Sequence, residues 1–400
     1  MMSNGQERLK NRGKVALVIS PTADQSAVES QLRAVGITIG DRMMVGDADV
    51  ARPKGASWRR RGYVAVVAAG GDGTIGAAVS QIAESDMPLG ILPLGTSNDV
   101  ARSLGVPLDL AAACATIARG VTSTVDIGVV SRAMASPGGA DNLRGALTSM
   151  ARRLLPPGQL RSSLVGPEPR FIHAATLGLN VEFARLATDV ARRRRWGPLN
   201  YASATVEALT KLHPVPVTLR LSGVPSAGKS RGGDEISITY QAVQVAVVNT
   251  PVFGGAFNLR LPGVQPRDQL LDVVVIEALE SHLLHETVEK LLTALGPLAG
   301  GYLAPTAPTS AEAPDASITA QPVQSEQAGA ERALLVTEEA ARFALPGVHH
   351  YQARSIRIET PSDVAMTLDG EISARTPVDV RLARRQLRVL VPAKAPASAQ

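Results

Sequence analysis

Residues Val64–Ile82 read VAVVAAGGDGTIGAAVSQI. An apolar, β-branched run ends at glycines set around one aspartate, and apolar residues resume at helical spacing from Ile75 to Ala83. That pattern is a buried strand, a flexible turn and a helix. Gly71-Asp72-Gly73-Thr74-Ile75-Gly76 fits G-x-G-x-x-G, the spacing that lets backbone amides at a helix start approach phosphate. A dinucleotide site is disfavoured. Its fingerprint normally follows the first strand of the domain, and here KVALVIS (Lys14–Ser20) comes earlier. Asp72 would also face a pyrophosphate with like charge, a repulsion of roughly 4 kcal/mol at contact range. Mg²⁺ removes that conflict by bridging carboxylate and phosphate, so the turn suits a metal–triphosphate complex better. The plainer reading, a tight strand-to-helix turn, needs fewer glycines.

A second polar turn, PLGTSNDVAR (Pro93–Arg102), follows the next strand, Leu89–Leu92. Ligands of open α/β sheets bind outside the carboxyl ends of the strands. Thr96 and Asn98 can hydrogen-bond phosphate or ribose, and Ser97, Asn98 or Asp99 also suit a helix cap over Ser97–Leu104. Capping explains any one of them. It does not explain two glycine-containing turns after consecutive strands.

Working outward, strands alternate with helices up to about Val130, which implies a mostly parallel, doubly wound α/β sheet. Residues 131–169 are rich in Gly, Pro and Ser and carry one basic amphipathic piece, Asn142–Leu155, so an inserted flexible segment is expected. From Arg170 the runs FIHAATLGLNV, VPVTLRLSGV, ISITYQAVQVAVVNT and LLDVVVIEAL, and later SIRIET, VAMTL, VDVRLA and LRVLVP, are strand-like. The expected organisation is an α/β nucleotide-binding domain over 13–130 and a β-rich antiparallel sandwich domain over 170–400, whose last strand returns to the first domain. Ser281–Leu295 reads as an amphipathic helix, and residues 305–330 have too few large apolar residues to order.

The motifs together resemble the diacylglycerol kinase catalytic-domain superfamily, in particular the soluble bacterial lipid kinases related to diacylglycerol and sphingosine kinases. The resemblance rests on GGDGT (Gly70–Thr74), PLGTSND (Pro93–Asp99), FIHAATLGLNVEFA, QPRDQLLDVVV and LDGE (Leu368–Glu371), in family order along most of the chain. GGDGT alone is shared with NAD kinases. The resemblance implies ATP binding by Gly70, Gly71, Asp72, Gly73, Thr74, Ile75, Gly76 and Thr96, with Asp72 acting beside a catalytic Mg²⁺. It implies that Asp369 or Glu371 deprotonates a lipid hydroxyl, Glu371 being the usual proton acceptor. It also implies a structural metal held by the Asp268 carboxylate and the carbonyls of Gln265 and Leu270. The residues alone say less. DGE follows a strand-like run, and carboxylates two apart on a strand share a face, where repulsion can raise one pKa; an acidic hairpin turn fits as well. Asp268 and Asp272 read simply as loop carboxylates before a strand.

The chain departs from the pattern at three places. Gly76-Ala77 stand where the family has Asn-Glu after GGDGT, Ser20-Pro21 where it has Asn-Pro, and no threonine follows the second strand near Met43–Gly46. The alternatives are therefore an NAD kinase-like or dinucleotide-binding enzyme, and a nucleotide- or lipid-binding module without turnover.

Composition bounds the partners. The chain has 400 residues, a formal charge of +5 and 3% aromatics. The charge favours anionic partners, and the scarcity of aromatic stacking platforms argues against nucleic acid. Cys114 is the only cysteine, which excludes a disulfide framework and fits a reducing cytoplasm. The start lacks a signal-peptide pattern and no apolar run of about 18 residues occurs, so the expected location is cytoplasmic, with peripheral contact at the inner membrane face. ATP and a membrane-surface lipid are the expected partners, and a homodimer is compatible. Arg192–Arg195 suits either phosphate headgroups, worth about 1 kcal/mol per residue near an anionic membrane, or a solvated helix end. His282, His285 and Glu286 lack the spacing of a zinc motif and read as an amphipathic surface.

Overall fold

In the computed structural model, residues 13–46, 53–133, 168–188, 213–224, 235–253, 259–278 and 347–393 are described. Residues 134–167 of the flexible segment expected over 131–169, with its basic piece at 142–155, the disordered segment expected at 305–330, the arginines at 192–195 and the helix expected over 281–295 lie outside them.

The first unit runs β1 (Lys14–Ile19), α1 (Gln25–Ala34), β2 (Thr38–Met44), α2 (Gly55–Arg60), β3 (Tyr63–Gly70), α3 (Asp72–Ile82), β4 (Leu89–Pro93), α4 (Asp99–Ser103), α5 (Leu110–Arg119) and β5 (Thr122–Val125). Its sheet order is β2-β1-β3-β4-β19-β5, where β19 is Leu387–Leu390 near the end of the chain. Strands β2, β1, β3, β4 and β19 pair in parallel, and β5 closes the edge antiparallel to β19. Consecutive residues of β1, β3 and β4 are buried, as both faces of a parallel sheet require. Gly70 stands in register with Pro93, so the two polar turns leave the sheet side by side.

The remaining strands are β6 (Gly128–Arg132), β7 (Arg170–Phe171), β8 (Ala174–Gly178), β9 (Val215–Ser222), β10 (Ile236–Val248), β11 (Val252–Phe253), β12 (Leu259–Arg260), β13 (Leu271–Glu277), β14 (Val348–Ala353), β15 (Ser355–Glu359), β16 (Ala365–Leu368), β17 (Glu371–Arg375) and β18 (Val378–Leu382), with helix α6 at Leu179–Thr188. Eleven of them form one antiparallel sheet ordered β17-β16-β8-β10-β9-β15-β18-β6-β7, with β13 joining β10 to β14. Strand β10 is long enough to pair with β9 through its first half and with β8 and β13 through its second. Alternate residues Val217, Leu219 and Leu221 of β9 are buried in this unit's core. The expected border near residue 130 falls inside β6, which pairs with β18 in the large sheet. FIHAATLGLNV is two short strands that give way to α6 at Leu179, where a continuous strand was expected.

Candidate active site

The GGDGT turn sits where β3 ends. Gly71 is the N-cap of α3, and the helix start carries no side-chain cap. By contrast α1 and α5 are capped by Asp24 and Asp109. The first amides of α3 are thus left for a ligand, at the positive end of the helix. Glycine is required by close approach: a Cβ on Gly95 would stand 2.3 Å from Gly71 Cα, and one on Gly70 would stand 2.2 Å from Thr74 Oγ1.

Asp72 joins the two turns. Its carboxylate accepts hydrogen bonds from the backbone N–H of Asp99 (3.2 Å) and of Val100 (3.0 Å), capping α4 from another element. Asn98 adopts a left-handed conformation at φ 53° and turns its side chain inward. Its Oδ1 accepts from Gly95 N–H and its Nδ2 donates to the Gly95 carbonyl. Asn98 was expected to reach phosphate or ribose; its buried amide instead locks the PLGTSND turn, while Thr96 is exposed at the tip. Ile75 likewise lies in the hydrophobic core, with its amide bonded to the Gly71 carbonyl, so neither its side chain nor its N–H faces a ligand.

The second unit brings DGE to this helix. Leu368 pairs with Glu371 across a two-residue turn in which Asp369 (φ 48°) and Gly370 (φ 87°) are both left-handed. Asp-Gly is the preferred sequence for such a hairpin. The Asp369 carboxylate is buried and accepts from the N–H groups of Ile172, His173 and Ala174 at 2.9, 2.9 and 3.1 Å. Burial pushes its pKa up to about 7, with the three amides opposing and nearby Asp72 adding to the rise. Glu371 is exposed and lies over the first turn of α3, where a Cβ on Gly73 would stand 2.9 Å from Glu371 Oε1. Desolvation by its neighbours raises the Glu371 pKa. The expectation that the two carboxylates share a strand face is corrected: Asp369 occupies the turn and points inward, Glu371 begins β17 and is exposed, and the charge that bears on Asp369 is Asp72.

Residues with no role assigned from sequence adjoin these turns. His173 is buried, its Nδ1 is 2.6 Å from Thr250 Oγ1, its Nε2 is 3.8 Å from Asp99 Oδ2, and its ring lies on Phe253 at 4.2 Å between centroids. Asn249 donates to the carbonyls of Asp126 and Ile172, tying the two units together. Nothing local in HAATL or VVNTP marks these residues, because their partners are distant in sequence.

The QPRDQLLD turn lies apart from DGE. Asp268 Oδ1 accepts from Leu270 N–H, Asp126 Oδ2 accepts from Gln269 N–H, and Gln265 is exposed. Burial raises the Asp268 pKa to about 6, with Asp272 and Asp126 adding to the rise. Asp272 is a fully buried residue of β13, not a loop carboxylate, and its Oδ2 has no hydrogen-bond partner. Among the described residues no cluster of three or more His, Cys, Asp or Glu side chains is arranged around a metal. The expected set needs only one carboxylate and two carbonyls. The Asp268 carboxylate and the two carbonyls are oxygen donors of the kind a hard cation takes, whereas Asp272 is engaged through Oδ1 with His350 Nε2 and Gln352 Nε2 of the neighbouring strand. Asp72 Oδ1 and Oδ2 each accept one backbone N–H, which leaves a further lone pair on each oxygen that could meet a cation.

Among the described residues no helix is long and apolar enough to cross a membrane. Residues 15–130 match the model of the diacylglycerol kinase catalytic domain, and residues 174–295 match that of the YegS C-terminal NAD kinase beta sandwich-like domain. A diacylglycerol kinase of Mycobacterium tuberculosis is 30% identical over 287 residues, which is 69% of this chain and 77% of that protein. A diacylglycerol kinase of Bacillus subtilis is 43% identical over 88 residues, covering 21% of this chain and 28% of its own length. The crystal structure of a diacylglycerol kinase from Bacillus anthracis superposes with a TM-score of 0.55 over 95% of this chain and 97% of that one, at 18% identity, which is a likeness of fold. With both family models matched in order and the mycobacterial relative aligned over most of both chains, the chain belongs to the diacylglycerol kinase family of lipid kinases.

Proposed function

We propose that the protein transfers the γ-phosphoryl group of ATP, in the presence of Mg²⁺, to the hydroxyl of a lipid, diacylglycerol first and a sphingoid base second. The observation that carries this reading is the meeting of Glu371 with the uncapped first turn of α3. An anion-binding helix start and a raised-pKa carboxylate from a separate β-rich unit face one another there. The division of labour would be nucleotide on the 13–130 unit and lipid on the 170–400 unit, with the protein working at a membrane surface.

In this reading the amides of Gly73 and Thr74, with the polar tip at Thr96, receive the phosphates. Asp72 is the carboxylate that would hold the catalytic Mg²⁺, whose contribution is to neutralise phosphate charge. Glu371 orients and deprotonates the acceptor hydroxyl; a carboxylate with a raised pKa is a better proton acceptor than an ordinary one. Asp369, anchored by three amides, fixes the hairpin that presents Glu371. Positioning and charge neutralisation supply most of the rate in phosphoryl transfer. Asp268, with the Gln265 and Leu270 carbonyls, would hold a structural cation.

ADP release from MgATP, measured with mixed micelles carrying diacylglycerol, sphingosine or no lipid, tests the reading. Lipid-dependent release supports it and ranks the acceptors. Release with NAD and with no lipid would favour the NAD kinase-like reading, and nucleotide binding without release would favour a binding module.

A further inference from the structure

We propose that His173 is a positioning residue that locks the phosphate-side carboxylates Asp72 and Asp99 to the acceptor-side carboxylate Asp369. This rests on the kinase reading above. His173 contacts both groups: its backbone N–H donates to Asp369 Oδ1 at 2.9 Å, and its ring Nε2 lies 3.8 Å from Asp99 Oδ2. Asp99 in turn donates its own N–H to Asp72 Oδ2 at 3.2 Å. A chain of polar contacts therefore runs from the DGE hairpin through His173 and the PLGTSND turn to the GGDGT turn, crossing from the large sheet to the small one.

The ring is held from two further sides. Thr250 Oγ1 sits 2.6 Å from Nδ1, and Phe253 covers the ring face. Thr250 is fully buried and His173 is 8% exposed, so the pair is shielded from bulk solvent. The two ring nitrogens thus face different partners, the Thr250 hydroxyl within hydrogen-bond distance of Nδ1 and the Asp99 carboxylate beyond that distance from Nε2. Burial pushes the His173 pKa down, with Asp72 opposing. The backbone contact to Asp369 survives most substitutions, whereas the reach to Asp99 belongs to the ring alone. The two halves of the lock are thereby separable by experiment.

The test compares wild type with His173→Ala, His173→Gln, His173→Asn and Thr250→Val, reading kcat and KM for MgATP with diacylglycerol micelles, alongside Tm. Gln places its amide nitrogen where Nε2 stands, and Asn places it where Nδ1 stands. Loss of kcat by about 10²-fold in His173→Ala at nearly unchanged KM is expected, since a small misplacement of reacting groups costs that much. Gln is expected to recover more activity than Asn, with Thr250→Val intermediate. Combining His173→Ala with Asp99→Asn is expected to cost no more in kcat than the worse single change, because both break one link. The proposal is overturned if His173→Ala stays within about threefold of wild type in kcat, if Asn recovers as much as Gln, or if the losses of kcat merely follow losses of Tm. A wild type that binds MgATP and turns over no lipid would instead remove the kinase reading, and this inference with it.

Discussion

Gly76 lies against the Asp369 carboxylate: a Cβ on Gly76 would stand 3.2 Å from Asp369 Oδ2. Glycine inside a helix costs about 1 kcal/mol relative to alanine. At this position it leaves room for a carboxylate that three amides hold in place and that cannot readily give way. The departure from the family pattern at Gly76 thus has a local reason in the packing of α3 against DGE.

Gly76→Ala is therefore expected to lower lipid kinase activity by about tenfold while leaving Tm level or slightly raised, because helix propensity gains what the hairpin contact loses. Steady-state turnover with thermal unfolding on the same preparations checks this. Full activity with a raised Tm would show that the space beside Asp369 is not needed.

Gly95→Ala makes a harsher demand, since its Cβ would meet the Gly71 backbone at 2.3 Å and no side chain can move aside. The two phosphate-side turns would be forced apart. MgATP affinity measured by calorimetry is expected to fall by at least about tenfold, a loss of roughly 1.4 kcal/mol.

Asp72→Asn presents an amide N–H₂ to one of two backbone N–H donors. Loss of this cap on α4 is expected to cost about 1 kcal/mol, seen as a Tm lower by about 2 °C, and to abolish turnover. Retained turnover would remove Asp72 from the phosphate subsite.

The pH dependence has a definite sign. In the folded protein the Asp369 pKa is raised to about 7, above the ordinary carboxylate value, so the fold favours its protonated form. That contribution to stability is full below about pH 4 and is lost as pH rises through about 7. Wild type is expected to lose more stability than Asp369→Asn between those limits in a denaturant titration. Activity runs the other way: Glu371 must be ionised to accept a proton, and desolvation, by raising its pKa, moves the acidic limb of kcat/KM upward in pH.

The strand-turn-helix units at GGDGT and PLGTSND were legible because apolar runs meet glycines and capping residues there. The larger sheet was legible in its alternating strands, such as Val215–Ser222. Strand β2, TIGDRMM, was placed only through the family pattern and not by its own residues, because it is a polar edge strand paired only with β1. Asp41 on it is tied to Trp58, Arg61 and Tyr63 by contacts that no local pattern announces. Asn98 was left open for a similar reason: its type suits a ligand contact or a turn, and its left-handed backbone and bonds to Gly95 put its side chain in the turn. His173 lies in a stretch that carries the resemblance, but its own role was not legible, since its contacts are to Thr250, Asp99 and Asp369, each remote in sequence.

The most direct measurement is transfer of labelled γ-phosphate to diacylglycerol in mixed micelles by wild type and Glu371→Gln, with MgATP binding measured on both. Glu371 is exposed and makes no backbone anchor, so the variant is expected to fold, to bind MgATP as wild type does, and to lose phosphate transfer by at least about 10²-fold. Transfer by Glu371→Gln at the wild-type rate would contradict the assignment of the α3–DGE meeting point as the centre of the reaction.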